Sequence, residues 1–435
     1  MALIDLQIAA RSLAQHRKRT LFLGVATGGV TCLLVLLMAL TDGLQENLLR
    51  TGSTLMTGHV NVGGFYKITA GSAVPLVTDY QKVLDVVRPL VPELDYAVGR
   101  GRGYTKAVAD TGSMDVVLGG LDLAHDPGFK SAIVLADGKL EDLEKPGSIL
   151  IFQSEAKRLG VKAGDTLTLS APTYRGMANT ADVRVAVVAK DMGVLSYFNA
   201  FVPFVTLKSL YQLKDGSTGA IHLYLKDHRD SLKVAERLRK ALAEKGWRLM
   251  DADPQPYWMK LMLKVPKEDW TGQKLDISTW SDELGQIQST IQLLQRLTGF
   301  LLFTLVCIIG AGVMSTMWIA IRERTREIGT MRAIGMHRRR VLLMFLTEAF
   351  LLGLISTAGG AVVSVLAAAA INALRIGLPE MVQVILMSDT LQLSVHAAKV
   401  LAAIVGLTLA ISLSALLPSI FAARLKPVTA MHHIG

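Results

Sequence analysis

Four stretches of the chain are apolar almost without interruption, while the long interval between the first two alternates polar and apolar positions. Leu21 to Thr41 carries no charge, and neither does Leu297 to Ile321. Val341 to Ile371 contains a single charge, Glu348, and Ala397 to Leu417 contains Lys399 near its start and is followed by Pro418. A helix rises about 1.5 Å per residue, so about 20 apolar residues cross a hydrocarbon core of about 30 Å. Each run is therefore predicted to be a transmembrane helix. The first also suits a signal peptide, with Arg17, Lys18 and Arg19 ahead of it. It is longer than the about 7–15 apolar residues of such a segment, so a retained helix is expected.

Helical patterning continues beyond two of these runs, over Asp42–Leu55 and Ser281–Leu297, with Asp282 and Glu283 in the first turn of the latter, where a helix dipole favours acid. These extensions predict helical stalks. Between them, Gly58–Val62, Tyr104–Asp110, Met114–Gly120, Asp165–Ser170, Asp182–Lys190 and Ile221–Asp227 read as strands by alternation and β-branching. Ser154–Gly160 reads as a short helix capped by Ser154 and stopped by the glycine. Ser231–Gly246 is an amphipathic helix presenting Leu232, Ala235, Leu238 and Leu242. With Arg248–Asp253 as a following strand it suggests a βαβ subdomain separate from the Asp165–Ser170 strands. The expected fold is four transmembrane α-helices plus a large two-subdomain α/β extracytoplasmic domain on helical stalks. The predicted segments are an amphipathic N-terminal helix (1–20), a first span and stalk (21–55), the domain (56–280) and a second stalk and span (281–321). A cytoplasmic link (322–340), a third span (341–371), a short extracytoplasmic loop (372–396), a fourth span (397–418) and a tail (419–435) complete the chain.

Charge orients these pieces. Arg11, Arg17, Lys18 and Arg19 precede the first run, and seven arginines (Arg322, Arg324, Arg326, Arg332, Arg338, Arg339 and Arg340) crowd the link between the second and third. Residues 377–396 hold no lysine or arginine. The positive-inside rule puts both termini and the link in the cytoplasm and 42–296 on the other side. The net charge of +10 is thus largely a topology signal, and nucleic acid is not an expected partner. At 51% hydrophobic and 19% charged, with a mean hydropathy of +0.39, the chain has room for a few spans and one polar domain. Cys32 and Cys307 both lie in apolar runs, so the domain is not a disulfide scaffold.

The link RERTREIGTMRAIGMHRRR (Arg322–Arg340) followed by TEAFLLGLISTAGG (Thr347–Gly360) is similar to the signature of the MacB/LolC/FtsX-like permease family. GSILIFQSEAKRLGVKAGDTLTL (Gly147–Leu169) looks like its extracytoplasmic core motif. PSIFAARLKPVTAM (Pro418–Met431), TGHVNV (Thr57–Val62) and IAARSLAQHRKRT (Ile8–Thr20) fit too, closest to the LolC/LolE branch. The resemblance implies a bacterial inner-membrane ABC transporter permease, paired with a second copy or a sister permease. It implies a separate ATPase, holding ATP and Mg, that seats on a coupling helix comprising Arg322, Glu323, Arg324, Arg326, Glu327, Ile328, Met331, Arg332, Ile334 and Gly335. Mechanotransmission would then move a lipoprotein, lipid or other amphiphile, with a periplasmic carrier or adaptor as a further partner. FtsX-like members signal to cell-wall hydrolases, and MacB-like members work in tripartite efflux pumps. MacB carries its ATPase on the same chain, which this sequence does not. The link Ala171–Ala181 departs from LolC, whose corresponding loop is long, proline-bracketed and recruits a carrier.

Read without the resemblance, Arg322–Arg340 is either a docking helix, with Ile328, Met331, Ala333 and Ile334 as apolar contacts, or a basic loop that only orients the spans. Leu3, Leu6, Ala10 and Leu13 have amphipathic spacing suited to the membrane interface or to a simple anchor. Glu348 is either a functional intramembrane carboxylate or a partner for Arg339 or Arg340, and Lys399 is expected to snorkel. Gly310, Gly312, Gly353, Gly359 and Gly360 permit close helix packing. Pro254–Trp280, with Tyr257, Trp258, Leu261, Met262 and Trp270 among lysines, is either an interfacial segment that meets lipid or substrate, or a packed connection. No phosphate-cradling, zinc-protease or serine-elbow motif occurs, and GRGRGYTK (Gly99–Lys106) has the wrong spacing for the first. The chain is expected to be non-catalytic, with no cofactor or metal of its own.

Overall fold

The alternating interval folds into one sheet. A computed structural model describes residues 17–69, 72–379 and 390–425, and by internal contacts it divides into two units. The α/β unit comprises 45–290 with 377–390, and the helical unit the rest. The strands are β1 (Val60–Thr69), β2 (Ser72–Val74), β3 (Leu94–Val108), β4 (Ser113–Leu121), β5 (Leu135–Gly138) and β6 (Ser148–Phe152). They continue with β7 (Thr166–Pro172), β8 (Ala178–Ala189), β9 (Asn199–Pro203), β10 (Ala220–Leu225) and β11 (Gly272–Thr279). Their order is β11-β1-β10-β3-β4-β9-β6-β8-β5, with β2 on β1 and β7 bridging β3 and β8.

Strand β3 joins two cores. Its first half pairs with β10 and its second half with β4 and β7. On one side Val60, Val62, Ile221, Leu223, Leu275 and Ile277 pack against Val234, Leu238 and Leu242 of the amphipathic helix, now Ser231–Glu244. On the other, Met114, Val116, Leu167, Leu169, Val183 and Val185 surround Leu207 and Leu210. Two subdomains are therefore distinct as cores but continuous as a sheet. Antiparallel β1 lies between β10 and β11, so the βαβ unit is split by a strand from the other end of the domain.

Two local readings change. Arg248–Asp253 is not a strand, since only Leu249 bridges to Leu275; β11 takes the edge position instead. Ser154 does not cap its helix, which runs Gln153–Leu159. Its hydroxyl donates to Asp191 at 2.7 Å, while Glu155 reaches back to accept from the Phe152 amide at 3.0 Å. Gly160 does stop that helix in the left-handed region, at φ 66°. The GRGRG run lies in the middle of β3, where a side chain at Gly103 would strike the Tyr211 ring.

Among the described residues, four helices are long and apolar enough to cross a membrane: Thr20–Leu55, Ile291–Glu323, Arg338–Leu374 and Ala397–Arg424. Leu21, Phe22, Phe300, Phe303 and Leu413 are each more than two-thirds exposed on them, as lipid-facing side chains should be and soluble-core ones are not. Pro418 does not end the fourth helix. A short break at Ala415 starts a new one, Leu416–Arg424, with Pro418 in its first turn, where a missing N–H costs nothing. Gly360 closes onto the Gly28 carbonyl and Gly310 onto Ser414, while Gly312 and Gly359 meet nothing. The Lys399 ammonium pairs with Asp42, which His396 also approaches at 3.4 Å. The N-terminal amphipathic stretch (Leu3, Leu6, Ala10, Leu13) and residues 426–435 lie outside the described residues, as do 380–389 of the predicted short loop.

Candidate functional site

The link between the second and third spans is built as an element with two faces. The second helix ends at Glu323, Arg324 breaks it, and a separate helix runs Thr325–Ala333. Gly335, at φ 104°, turns the chain into the next helix at Arg338, a conformation that a side chain with a Cβ disfavours. Ile328 is fully buried, among Val313, Met317, Ile321, Val341, Phe345 and Ala422, and Met331 packs against the same cluster.

Two arginines tie the link to the helices around it. Arg324 Nη1 stands 3.3 Å from Glu348 Oε2, both largely buried. Glu348 is thus paired with a cation of the link itself, Arg324. Arg332 Nη1 donates to the carbonyls of Ala423, at 3.2 Å, and Leu425. These lie at the end of Leu416–Arg424, where carbonyls lack partners within the helix. Four of the predicted residues, Arg324, Ile328, Met331 and Arg332, therefore hold the link in place. Arg322, Glu323, Arg326, Glu327, Ile334 and Gly335 face outward. Ile334, an apolar side chain, is 82% exposed.

The Pro254–Trp280 segment is likewise divided. Tyr257 and Leu261 pack against Phe65, Met250, Val265 and Trp270, while Trp258, Met262 and Leu263 are exposed. Its lysines do most of the anchoring. Lys260, 1% exposed, places Nζ 3.0 and 2.9 Å from the two oxygens of Asp276. From β1, Lys67, equally buried, donates to the carbonyls of Val265 and Glu268 and lies over the Trp270 ring. The packed-connection reading describes Tyr257, Leu261 and Trp270; the interfacial reading is left with Trp258 and Met262. Among the described residues no group of His, Cys, Asp and Glu is placed to hold a metal ion.

Sequence reading missed a polar cluster on the face of the sheet under Tyr257, formed by Asn61, Arg100, Arg102 and His222. The signal was present: two arginines two residues apart on a strand share one face. The glycines around them suggest a phosphate loop and mask that shared face. Elsewhere in the unit, burial pushes the Glu155 carboxyl up to about 8, against the Phe152 amide bond that favours its charge, with Asp191 adding to the rise.

Residues 299–427 match the family described as FtsX-like permease C-terminal, which covers the second to fourth spans and the link. The chain is 31% identical over 153 residues to the macrolide export ATP-binding/permease protein MacB of Mannheimia succiniciproducens, 35% of this chain and 22% of that one. It is 36% identical over 122 residues to the uncharacterized ABC transporter permease YvrN of Bacillus subtilis, 28% of this chain and 26% of that one. The aligned stretches thus span about a quarter or less of these relatives. Among solved structures, the periplasmic region of MacB from Actinobacillus actinomycetemcomitans aligns at 14% identity over 57% of this chain and 97% of that one, with a TM-score of 0.30. A likeness at that score says nothing about function.

Proposed function

We propose, from the premise that residues 299–427 form an FtsX-like permease C-terminal region, that this chain is the non-catalytic membrane subunit of an ABC transporter, driven by an ATPase on a separate chain. The observation that carries the reading is the two-faced link. Ile328, Arg324 and Arg332 fasten Thr325–Ala333 to the helices on either side, so a push on Ile334 and its charged surroundings moves helices instead of bending a loop. A loop serving only to orient spans needs no such fastening. ATP and Mg belong to the partner, and the link is the surface that receives it.

The helices Arg17–Leu55 and Gly285–Glu323 each contribute residues to both units. In this reading they are the stalks through which a cytoplasmic stroke reaches the large domain on the periplasmic side of the inner membrane. The cargo is a lipoprotein, a lipid or another amphiphile. A second permease, identical or a sister, completes the transporter. The hairpin between β7 and β8 turns through Thr173–Met177, with Thr173 N donating to Met177 O at 2.7 Å. So tight a turn has no arm to recruit a carrier as the LolC loop does. This favours a MacB-like arrangement, with a periplasmic adaptor, over strict lipoprotein release.

The test is to purify the full chain from gently solubilised membranes and identify every co-purifying protein. A Walker-motif ATPase in stoichiometric amount, lost with Ile334→Asp, is the expected result. Absence of any ATPase, with a cell-wall hydrolase or receptor in its place, would sink the transport reading in favour of FtsX-like signalling.

A further inference from the structure

Arg100 and Arg102 leave the same face of β3, and only one of them is matched. Arg100 turns the Nε–Nη2 edge of its guanidinium onto Asp126 Oδ2, at 2.8 and 2.6 Å, and donates from Nη1 to the Leu55 carbonyl at 2.7 Å. The corresponding edge of Arg102 meets nothing: Nε and Nη2 are both buried without a hydrogen-bond partner among the described residues. The Tyr257 ring covers that guanidinium, its centroid 4.1 Å from Cζ. On the other side Arg102 Nη1 passes close over Gly63, within 3.2 Å of where a Cβ would stand.

Two more unpartnered side chains lie on this face. Asn61 is opposite His222, and Gly63 opposite Ala220, in the β1–β10 register, so these positions share a side of the sheet. His222 is 1% exposed and neither ring nitrogen has a partner. Asn61 is fully buried, its Oδ1 takes the Gly58 amide at 2.8 Å, and its Nδ2 is left over. Of the nearby carboxylates, Asp126 is paired with Arg100 and Asp276 with Lys260, while Glu283 accepts from the Ser278 hydroxyl and the Tyr257 amide. Burial, together with the charges of Arg100 and Arg102, lowers the His222 pKa well below its ordinary value, so the imidazole is neutral and adds no positive charge.

Buried donors without acceptors are rare, because each forfeits the water it had in the unfolded chain. Here two guanidinium donors of Arg102, an amide donor and an imidazole share one face of the sheet without a hydrogen-bond partner among the described residues, and Arg102 has no ion pair there. A water molecule can take some of these bonds but leaves the charge unmatched. The Nε–Nη2 edge of an arginine fits two oxygens held on one atom, as in a carboxylate or phosphate. We propose that Arg102, His222 and Asn61 form a binding site for an oxyanion, a carboxylate or phosphate group, beneath Tyr257. The site stands independently of the transport reading, since every residue in it belongs to the α/β unit.

The experiment uses the full chain in detergent, titrated with sodium phosphate and with sodium acetate against sodium chloride of equal ionic strength. In parallel, the chain is titrated with phosphatidylglycerol vesicles against phosphatidylcholine vesicles. Thermal stability and 31P linewidths are the readouts. A saturable response to phosphate, acetate or phosphatidylglycerol is expected, weakened about tenfold or more in Arg102→Gln. Arg102→Lys keeps the charge but not the fork and should weaken it as well; it also serves if the glutamine variant does not fold. A response to soluble phosphate or acetate alone identifies a soluble ligand, and one to phosphatidylglycerol alone a lipid headgroup; both support the site. No response to any of the three, or a response unchanged in both Arg102 variants, overturns it.

Discussion

The α/β unit and the helical unit treat charge in opposite ways. In the α/β unit Lys67, Arg100, Asp126, Glu155, Lys260 and Asp276 are each no more than 3% exposed, and most are matched by a partner in the same unit. These charges fix strands and the Pro254–Trp280 segment in register. In the helical unit most of the charge on the link points outward, while Arg324 and Arg332 turn in. A buried ion pair contributes little net stability but is expensive to break. An outward charge contributes almost nothing to the fold and is available to a partner. The contrast separates residues the protein needs in order to fold from residues it keeps for contact.

Breaking the Lys260–Asp276 pair should have the largest effect. Lys260→Met strands a buried carboxylate and is expected to cost about 3–5 kcal/mol, whereas Lys260→Met with Asp276→Leu should regain most of it. Denaturant unfolding of the full chain in detergent, followed by tryptophan fluorescence, measures both. If the single variant is neutral, charge is not what holds this segment.

Glu155 is a buried carboxyl with no ion pair within 4 Å among the described residues, and it sharpens the comparison through pH. Its folded-state value of about 8 lies above the ordinary 4.5, so between those values the folded chain holds a proton that the unfolded chain has lost. Stability contributed at low pH is therefore lost as pH rises through that window, at about 1.4 kcal/mol per unit. Glu155→Gln retains an acceptor for the Phe152 amide and should flatten the slope, as read from unfolding midpoints between pH 5 and 8.

Arg324→Ala removes one partner of the partly buried Glu348 and should cost about 1–3 kcal/mol, read by thermal unfolding. Restoring stability with Glu348→Gln would confirm that the loss is one of charge. The smallest effect on folding belongs to Ile334→Asp, expected within about 0.5 kcal/mol of the parent because the side chain touches little. The same variant should abolish ATPase co-purification. A large loss of stability there would mean the outward face is part of the fold after all.

Much of the architecture was legible because it is written in periodicity. The four apolar runs, the amphipathic helix carrying Leu238 and Leu242 and the strands around Asp165–Ser170 each follow from local patterning, which neighbouring residues are enough to establish. The division of the link was not. Arg324 and Arg326 are both arginines flanked by polar residues, and only the position of Glu348 in the next helix makes one an anchor and leaves the other outside. The same holds for Lys260 against Lys267, and for Pro418, whose place was decided by a break one turn earlier in the helix.

By itself the sequence determined where apolar length suffices for a membrane, which segments alternate, and that no hydrolytic motif accompanies them. These are properties of contiguous residues, so they survive without knowledge of what packs against what. Tertiary structure decided that β1 splits the β10–β11 crossover, that Arg100 finds Asp126 while Arg102 has no ion pair among the described residues, and that Ile328 goes in while Ile334 stays out. Those outcomes depend on groups tens to hundreds of residues apart being brought within about 3 Å. No local pattern encodes which distant neighbour will arrive.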